Sequence, residues 1–164
     1  ADRSSRGNPR DDSRPELLAS RSMLPDAPTL VVARLHRALE HTTDVELTLP
    51  QYRVLGLLSA GDKRASVLAQ RLAVSRPTVT ALVDSLVERG FVARQPSADD
   101  RRAITISLTD AGRAAIAHTG SALRATLDSV VEQCADPTLV YAALAQLGPA
   151  LDAWFGERIA AAAR

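Results

Sequence analysis

Apolar positions along this chain recur first at helical spacing, then in alternation, then at helical spacing again. Leu30, Val31, Leu35, Ala38 and Leu39 mark a helix over Pro28 to Glu40. Thr48, with Gln51 three residues on, forms a capping box that opens a second helix over Leu49 to Ala60. Val67, Leu68 and Leu72 line one side of a short helix from Ser66 to Leu72, and only Ala73, Val74 and Ser75 separate it from the next. That next helix, Ser75 to Arg89, carries Val79, Leu82, Val83 and Leu86 on one face and leaves through Gly90. Two helices joined by so short a link make a helix-turn-helix. The period then changes. FVARQ (91 to 95) and the alternating ITISL (104 to 108), with Ile104, Ile106 and Leu108 on one side, read as an antiparallel hairpin around the charged turn PSADDRR. Thr109 caps a helix running to about Cys134, roughly 37 Å at 1.5 Å per residue. Asp136 and Pro137 start another, which Gly148 and Pro149 should interrupt, with an apolar stripe from Leu139 through Leu147, Leu151 and Trp154 to Ile159.

The predicted fold is mainly α with a small β-hairpin, an α+β winged helix-turn-helix flanked by helices from both ends. Its parts are a polar tail over 1–27, read as disordered, two supporting helices over 28–60, the winged unit over 61–108, and long helices over 109–164. On a wheel of about 100° per residue, the 75–89 helix turns Pro77, Ala81, Asp84 and Glu88 outward, with Thr78, Thr80 and Ser85 on the flanks. Asp84 and Glu88 would repel phosphates, whereas Arg76, Thr78 and Thr80 offer donors. The N-terminal half of this helix must therefore lead into a major groove. Arg101 and Arg102, at the tip of the charged turn, are slender enough for a minor groove about 6 Å wide.

These residues resemble the MarR type, the multiple antibiotic resistance regulators. The resemblance rests on LTLPQYRVLGLL (47 to 58), on LAQRLAVSRPTVTALVDSLVERGFVAR (68 to 94) and above all on DRRAITISLTDAGRA (100 to 114). It implies a homodimeric winged-helix transcription factor, usually a repressor, that binds double-stranded DNA at a pseudo-palindromic operator. It also implies that Arg102 enters the minor groove while Asp100 helps to hold the wing. DNA-binding positions are then Ser75, Arg76, Pro77, Thr78, Thr80 and Ala81 on the helix and Asp100, Arg101 and Arg102 on the wing. Many relatives carry a longer polar side chain where Ala81 stands, so direct base reading is expected to be thinner here. A small aromatic or phenolic effector is implied as well, in a cleft to which His36, Tyr52 and Arg53 are candidate contributors, with the pocket itself left unassigned.

Charge agrees with this placement. From Gly61 to Arg102 eight Lys or Arg face five acids, and from Ala103 to the end four Arg face six acids, within a chain of net charge +1. The positive excess falls on the groove-reading elements, yet it is small, and a weakly basic protomer makes more sense as half of a dimer. The apolar stripes of the terminal helices would supply the contact. The N-terminal tail, with five Arg and four acids up to residue 22, is nearly neutral and reads as solvated rather than as a DNA-reaching arm. It has no apolar stretch of the kind a signal peptide needs, and no apolar run approaches 18 residues, so no membrane partner is expected. The single Cys134 fits a reducing cytoplasm.

Other chemistry is sparse. No phosphate loop, nucleophile elbow or supported carboxylate pair appears, so no enzyme and no cofactor is expected. His41 near Asp44 and Glu46 is the one weak metal candidate, against the plainer reading of a solvated helix end. Two rival functions are a redox sensor acting through Cys134 and a winged helix used as a protein interaction module. The second predicts a neutral outward face, contrary to Arg76, Arg101 and Arg102.

Overall fold

Four polar side chains set where helices begin, and the turns follow from them. In the computed structural model, which describes residues 27–96 and 103–162, Thr48, Ser75, Thr109 and Asp136 each accept a bond from a backbone N–H in the first turn that follows. The helices are α1 (Ala27–Glu40), α2 (Leu49–Ser59), α3 (Ala65–Leu72), α4 (Arg76–Glu88), α5 (Asp110–Val131) and α6 (Pro137–Ala162), with strands β1 (Val92–Pro96) and β2 (Ile104–Leu108) between α4 and α5. The expected elements are all present, with ends within a few residues of the sequence reading. Residues 1–26 lie outside the described part, and so does nearly all of the segment read as a tail.

The chain divides into two bodies at Arg37 and Ala38. The described part of the first is the opening of α1, where Leu30, Val31 and Val32 are exposed. The second holds the core. Val54, Leu55 and Leu58 of α2, Leu68 and Leu72 of α3, and Val79, Val83 and Leu86 of α4 close around Phe91, Val92, Ile106 and Ala115. Each large side chain so buried contributes about 1.5–3 kcal/mol relative to an exposed one. Two expected inward positions are not inward. Val67 is over a third exposed and Ile104 is 58% exposed; Ile104 pairs with Pro96, the last pair of the hairpin register.

The hairpin is antiparallel, with Val92 opposite Leu108 and Pro96 opposite Ile104. Lys63 adds a short third edge: its N–H donates to the Ile106 carbonyl at 3.1 Å and its carbonyl accepts from Ile106 at 2.9 Å. The helix-turn-helix link places Ala73 in the left-handed region (φ 54°), with Ala73 and Val74 donating back to Gln70 and Ala69.

One expectation is overturned. α6 runs unbroken through Gly148 and Pro149. The glycine before Pro149 removes the clash of the proline ring with a preceding Cβ, and the Ala145 carbonyl that loses its N–H partner lies on an exposed stretch of the helix. None of the described α6 side chains is buried, although α6 meets α3 over a short stretch. The α5–α6 corner is held by Asp128, which accepts from the Tyr141 hydroxyl and from Arg124 Nε at 2.8 Å, with the Arg124 guanidinium 5.0 Å from the Tyr141 ring centre. The Tyr141 hydroxyl, and after it Arg124, keep the Asp128 carboxyl below its usual range. Among the described residues no helix is long and apolar enough to cross a membrane.

Candidate nucleic-acid interface

α4 is fixed on its back and open on its front. Val79, Val83 and Leu86 are buried, while Ser75, Arg76, Pro77, Thr78, Thr80 and Ala81 are all exposed. The N-terminal half is thus the accessible part, as its residue types suggested. Its hydroxyls bond to one another and to the helix backbone. Ser75 Oγ accepts from the Thr78 N–H at 3.2 Å and lies 2.7 Å from Thr78 Oγ1, and the Thr80 hydroxyl donates to the Arg76 carbonyl at 3.0 Å.

The C-terminal half differs from the sequence reading. Asp84 is half-buried and ion-paired with Arg94 of β1 rather than left as a bare outward charge. This pair removes part of the expected phosphate repulsion and consumes one of the counted arginines. Ser85, placed on the flank, accepts from Gln51 Nε2 at 3.2 Å. Asp100, Arg101 and Arg102, the wing candidates, fall in 97–102, outside the described residues.

How α4 is held was only partly foreseen. Gly90 (φ 72°) ends it in a Schellman turn, Gly90 donating to Val87 and Phe91 to Leu86, each at 2.9 Å. Thr109 then joins three elements. Its hydroxyl lies 2.7 Å from the Gly90 carbonyl and 2.9 Å from that of Phe91, and accepts from the Gly112 N–H at 3.0 Å. Gly112 sits so close to β1 that an added Cβ would stand 2.1 Å from the Phe91 carbonyl oxygen. Arg113 Nη1 donates to the Leu108 carbonyl at 3.1 Å. These residues clamp the start of α5 onto the exit of α4 and the base of the wing, a role the sequence reading did not assign. A glycine in the first turn of an otherwise uninterrupted helix was the available signal.

Beside the exit of α4 lies an open cavity of about 460 Å³, lined by Leu39, Leu47, Leu49 and Leu123 with Glu40, Glu46, Gln51 and Arg89 among its polar groups. Two of its walls are bonded to α4. Gln51 completes the Thr48 capping box and reaches Ser85, and Arg89, the last residue of α4's exit, donates to the Glu46 carbonyl at 2.6 Å while stacking 4.5 Å over Phe91. Tyr52 and Arg53 do not line this cavity; Tyr52 packs instead against Gly120 of α5. Glu46, one of the three residues of the weak metal candidate, faces His118 at 3.7 Å, and no group of three His, Cys, Asp or Glu gathers among the described residues. Cys134 is exposed beyond the end of α5.

The family model for the MarR family matches residues 45–103, from the capped α2 through the helix-turn-helix and β1 to just before β2. YpoP of Bacillus subtilis, an uncharacterized HTH-type transcriptional regulator, is 34% identical over 100 residues, covering 58% of this chain and 71% of that protein. The chain belongs to the MarR family. Like other MarR-family proteins it is a DNA-binding winged-helix transcriptional regulator and not an enzyme. The B. subtilis repressor YetL is 42% identical over 67 residues, 39% of this chain and 40% of its own length, so the chain spans less than half of that relative. Among solved structures, the repressor CouR bound to a 23-mer DNA duplex superposes with a TM-score of 0.67 at 28% identity, over 80% of this chain and 94% of that one. CouR from Rhodococcus jostii RHA1 is also known bound to p-coumaroyl-CoA, with a TM-score of 0.60 at 24% identity over 73% of this chain and 85% of that one.

Proposed function

We propose that this protein is a cytoplasmic repressor that binds a pseudo-palindromic operator as a homodimer, each protomer inserting α4 into the major groove and its wing, residues 96–102, into the minor groove. Supporting this most directly is the exposed, donor-bearing first half of α4 on a fully packed back. Ser75, Arg76, Pro77, Thr78, Thr80 and Ala81 make the major-groove contacts. Arg102 enters the minor groove beside Arg101, and Asp100 steadies the wing. Residues 61–108 are the reading unit, while 28–60 and 109–164 support it and pair it with a second copy. Dimerisation is favoured by the exposed apolar side chains of α1 and α6, among them Leu30, Val31, Leu147, Leu151 and Trp154. Two reading helices held by a two-fold axis sit about 34–36 Å apart, one turn of DNA. Repression is the mode of the relatives YetL and CouR.

Release follows from the cavity beside the exit of α4. A small aromatic ligand lodged among its leucines competes for Gln51 and Arg89, the two side chains that tie the cavity wall to α4. It therefore favours a spacing that does not fit DNA, by as much as its affinity for the two states differs.

Footprinting on the DNA flanking the protein's own gene tests target and symmetry together, and protection of one half-site alone removes the dimeric reading. In a gel shift at fixed salt, Arg102→Ala weakens operator binding by about 1–3 kcal/mol and reduces the preference for a narrow A·T minor groove; unchanged affinity sinks the wing assignment. A panel of aromatic acids titrated against the complex tests release, and indifference across the panel counts against it.

A further inference from the structure

The hydroxyl bookkeeping of α4 decides what kind of base edge its front face can recognise. Thr80 has a single O–H, and it is directed into the helix, onto the Arg76 carbonyl at 3.0 Å. With the oxygen turned back, the γ-methyl is the group left for an exposed side chain to present. Ala81 next to it is exposed and offers only a methyl. Pro77, one turn before Ala81 and on the same side, offers a ring without an N–H. Donor capacity is confined to the helix start. Of the two hydroxyl protons of Ser75 and Thr78, one bridges the pair at 2.7 Å and the other stays available. Arg76 carries its guanidinium on the same side as Thr80, four residues and about 6 Å along the axis.

Resting on the reading that α4 enters the major groove, we propose that it recognises thymine by its C5 methyl, through the γ-methyl of Thr80 and the β-carbon of Ala81, within two base-pair steps of a guanine read by Arg76. The chemistry is a division of labour. The free hydroxyl proton at Ser75 and Thr78 suits a phosphate oxygen, Arg76 suits the two acceptors of guanine, and the apolar pair suits the one apolar group that any base exposes in that groove. A hydrogen bond from Thr80 to a base would first have to break its bond to Arg76, whereas methyl contact leaves that bond in place. The small Ala81 is then a selective feature rather than a lost contact.

The test pairs protein and DNA changes on the operator defined by footprinting, using the full chain. Replacing thymines one symmetric pair at a time by deoxyuridine removes the methyl and leaves every hydrogen-bonding atom. At one pair of positions binding weakens by about four- to tenfold, the order expected for one methyl per half-site. Thr80→Ser, which keeps the hydroxyl, loses the same factor and loses nothing more on the deoxyuridine operator. Thr80→Val, which keeps the methyl, binds within about twofold of the parent. Both variants are exposed and of similar helix propensity, and circular dichroism checks that they are folded. The proposal is overturned if Thr80→Val binds as poorly as Thr80→Ser, or if no deoxyuridine weakens binding. Interference by methylation of guanine N7 separates the two levels. Interference without a deoxyuridine effect overturns methyl reading alone, and its absence overturns the major-groove placement of α4 and this inference with it.

Discussion

The winged unit and the terminal helices treat their apolar side chains in opposite ways. In α2, α3 and α4 almost every large apolar residue on the inner face is covered by a neighbour in the same chain, and Leu55, Leu68 and Leu86 are fully buried. In α6, Leu139, Leu147, Leu151 and Trp154 each remain more than half exposed, and α6 buries none of its described side chains. The reading unit is therefore complete within one protomer, whereas α6 carries an apolar surface that water does not favour. On the proposed dimeric reading, affinity for a single half-site is a property of the first region, and the spacing of two half-sites a property of the second.

The sharpest way to break the comparison is to make the same kind of truncation in each region. Leu86→Ala, in a fully buried site facing α4's core, costs about 2–5 kcal/mol in urea unfolding, since the transfer energy and the cavity add. Leu151→Ala changes protomer stability by less than about 0.5 kcal/mol. Equal losses would mean that α6 is part of the protomer core after all.

Trp154 supports the other half of the contrast. Half exposed, with Phe155 edge-on at 5.0 Å and the Arg158 guanidinium 4.8 Å above it, it has the character of an interface anchor. Trp154→Ala weakens self-association by about 2 kcal/mol or more, roughly thirtyfold, while the unfolding of the winged unit is unaltered. Sedimentation across a concentration series measures it, and an unchanged association constant removes α6 from the interface.

The seam between the two regions is the α5 start. Gly112→Ala places a methyl against the Phe91 carbonyl, so either α5 or β1 must move, at a cost of about 1–3 kcal/mol. Because Thr109 joins that carbonyl to the exit of α4, operator affinity falls with stability. A variant that loses stability while binding DNA normally would show that the clamp does not orient α4.

These contrasts explain which parts were readable beforehand. Capping is local in sequence: Thr48 with Gln51, Ser75, Thr109 and Gly90 each act within a few residues, and the helix ends they imply are those found. The alternation of ITISL carried the hairpin for the same reason. Long-range pairings leave no such trace. Nothing in the composition of GDKR marks Lys63 as a third edge partner for Ile106, and nothing local joins Asp84 to Arg94 or Gln51 to Ser85. The outward acid was assigned from the helical wheel alone, which knows the face of one helix but not the strand beside it. Pro149 shows the reverse error: a strong local breaker is tolerated where the preceding glycine offers no Cβ to its ring and the carbonyl left without an N–H partner is open to water.

The smallest expected effect concerns the corner where α5 turns into α6. Asp128 is held below the usual carboxylate range by the Tyr141 hydroxyl first and Arg124 second, and the corner is exposed to solvent, which screens the pair. A carboxyl whose folded pKa is depressed stabilises above its unfolded pKa and gives that stability up as pH falls through the folded value. The gap in urea midpoint between the parent and Tyr141→Phe is therefore small and constant near neutral pH, and closes in acid below the ordinary carboxylate range as Asp128 takes up its proton. The absence of any gap, even near neutral pH, would assign the corner to the Tyr141 ring under the Arg124 guanidinium, with no part for its hydroxyl. α6 would then be oriented on α5 by ring contact alone, and the apolar face it presents to a second copy would not depend on pH.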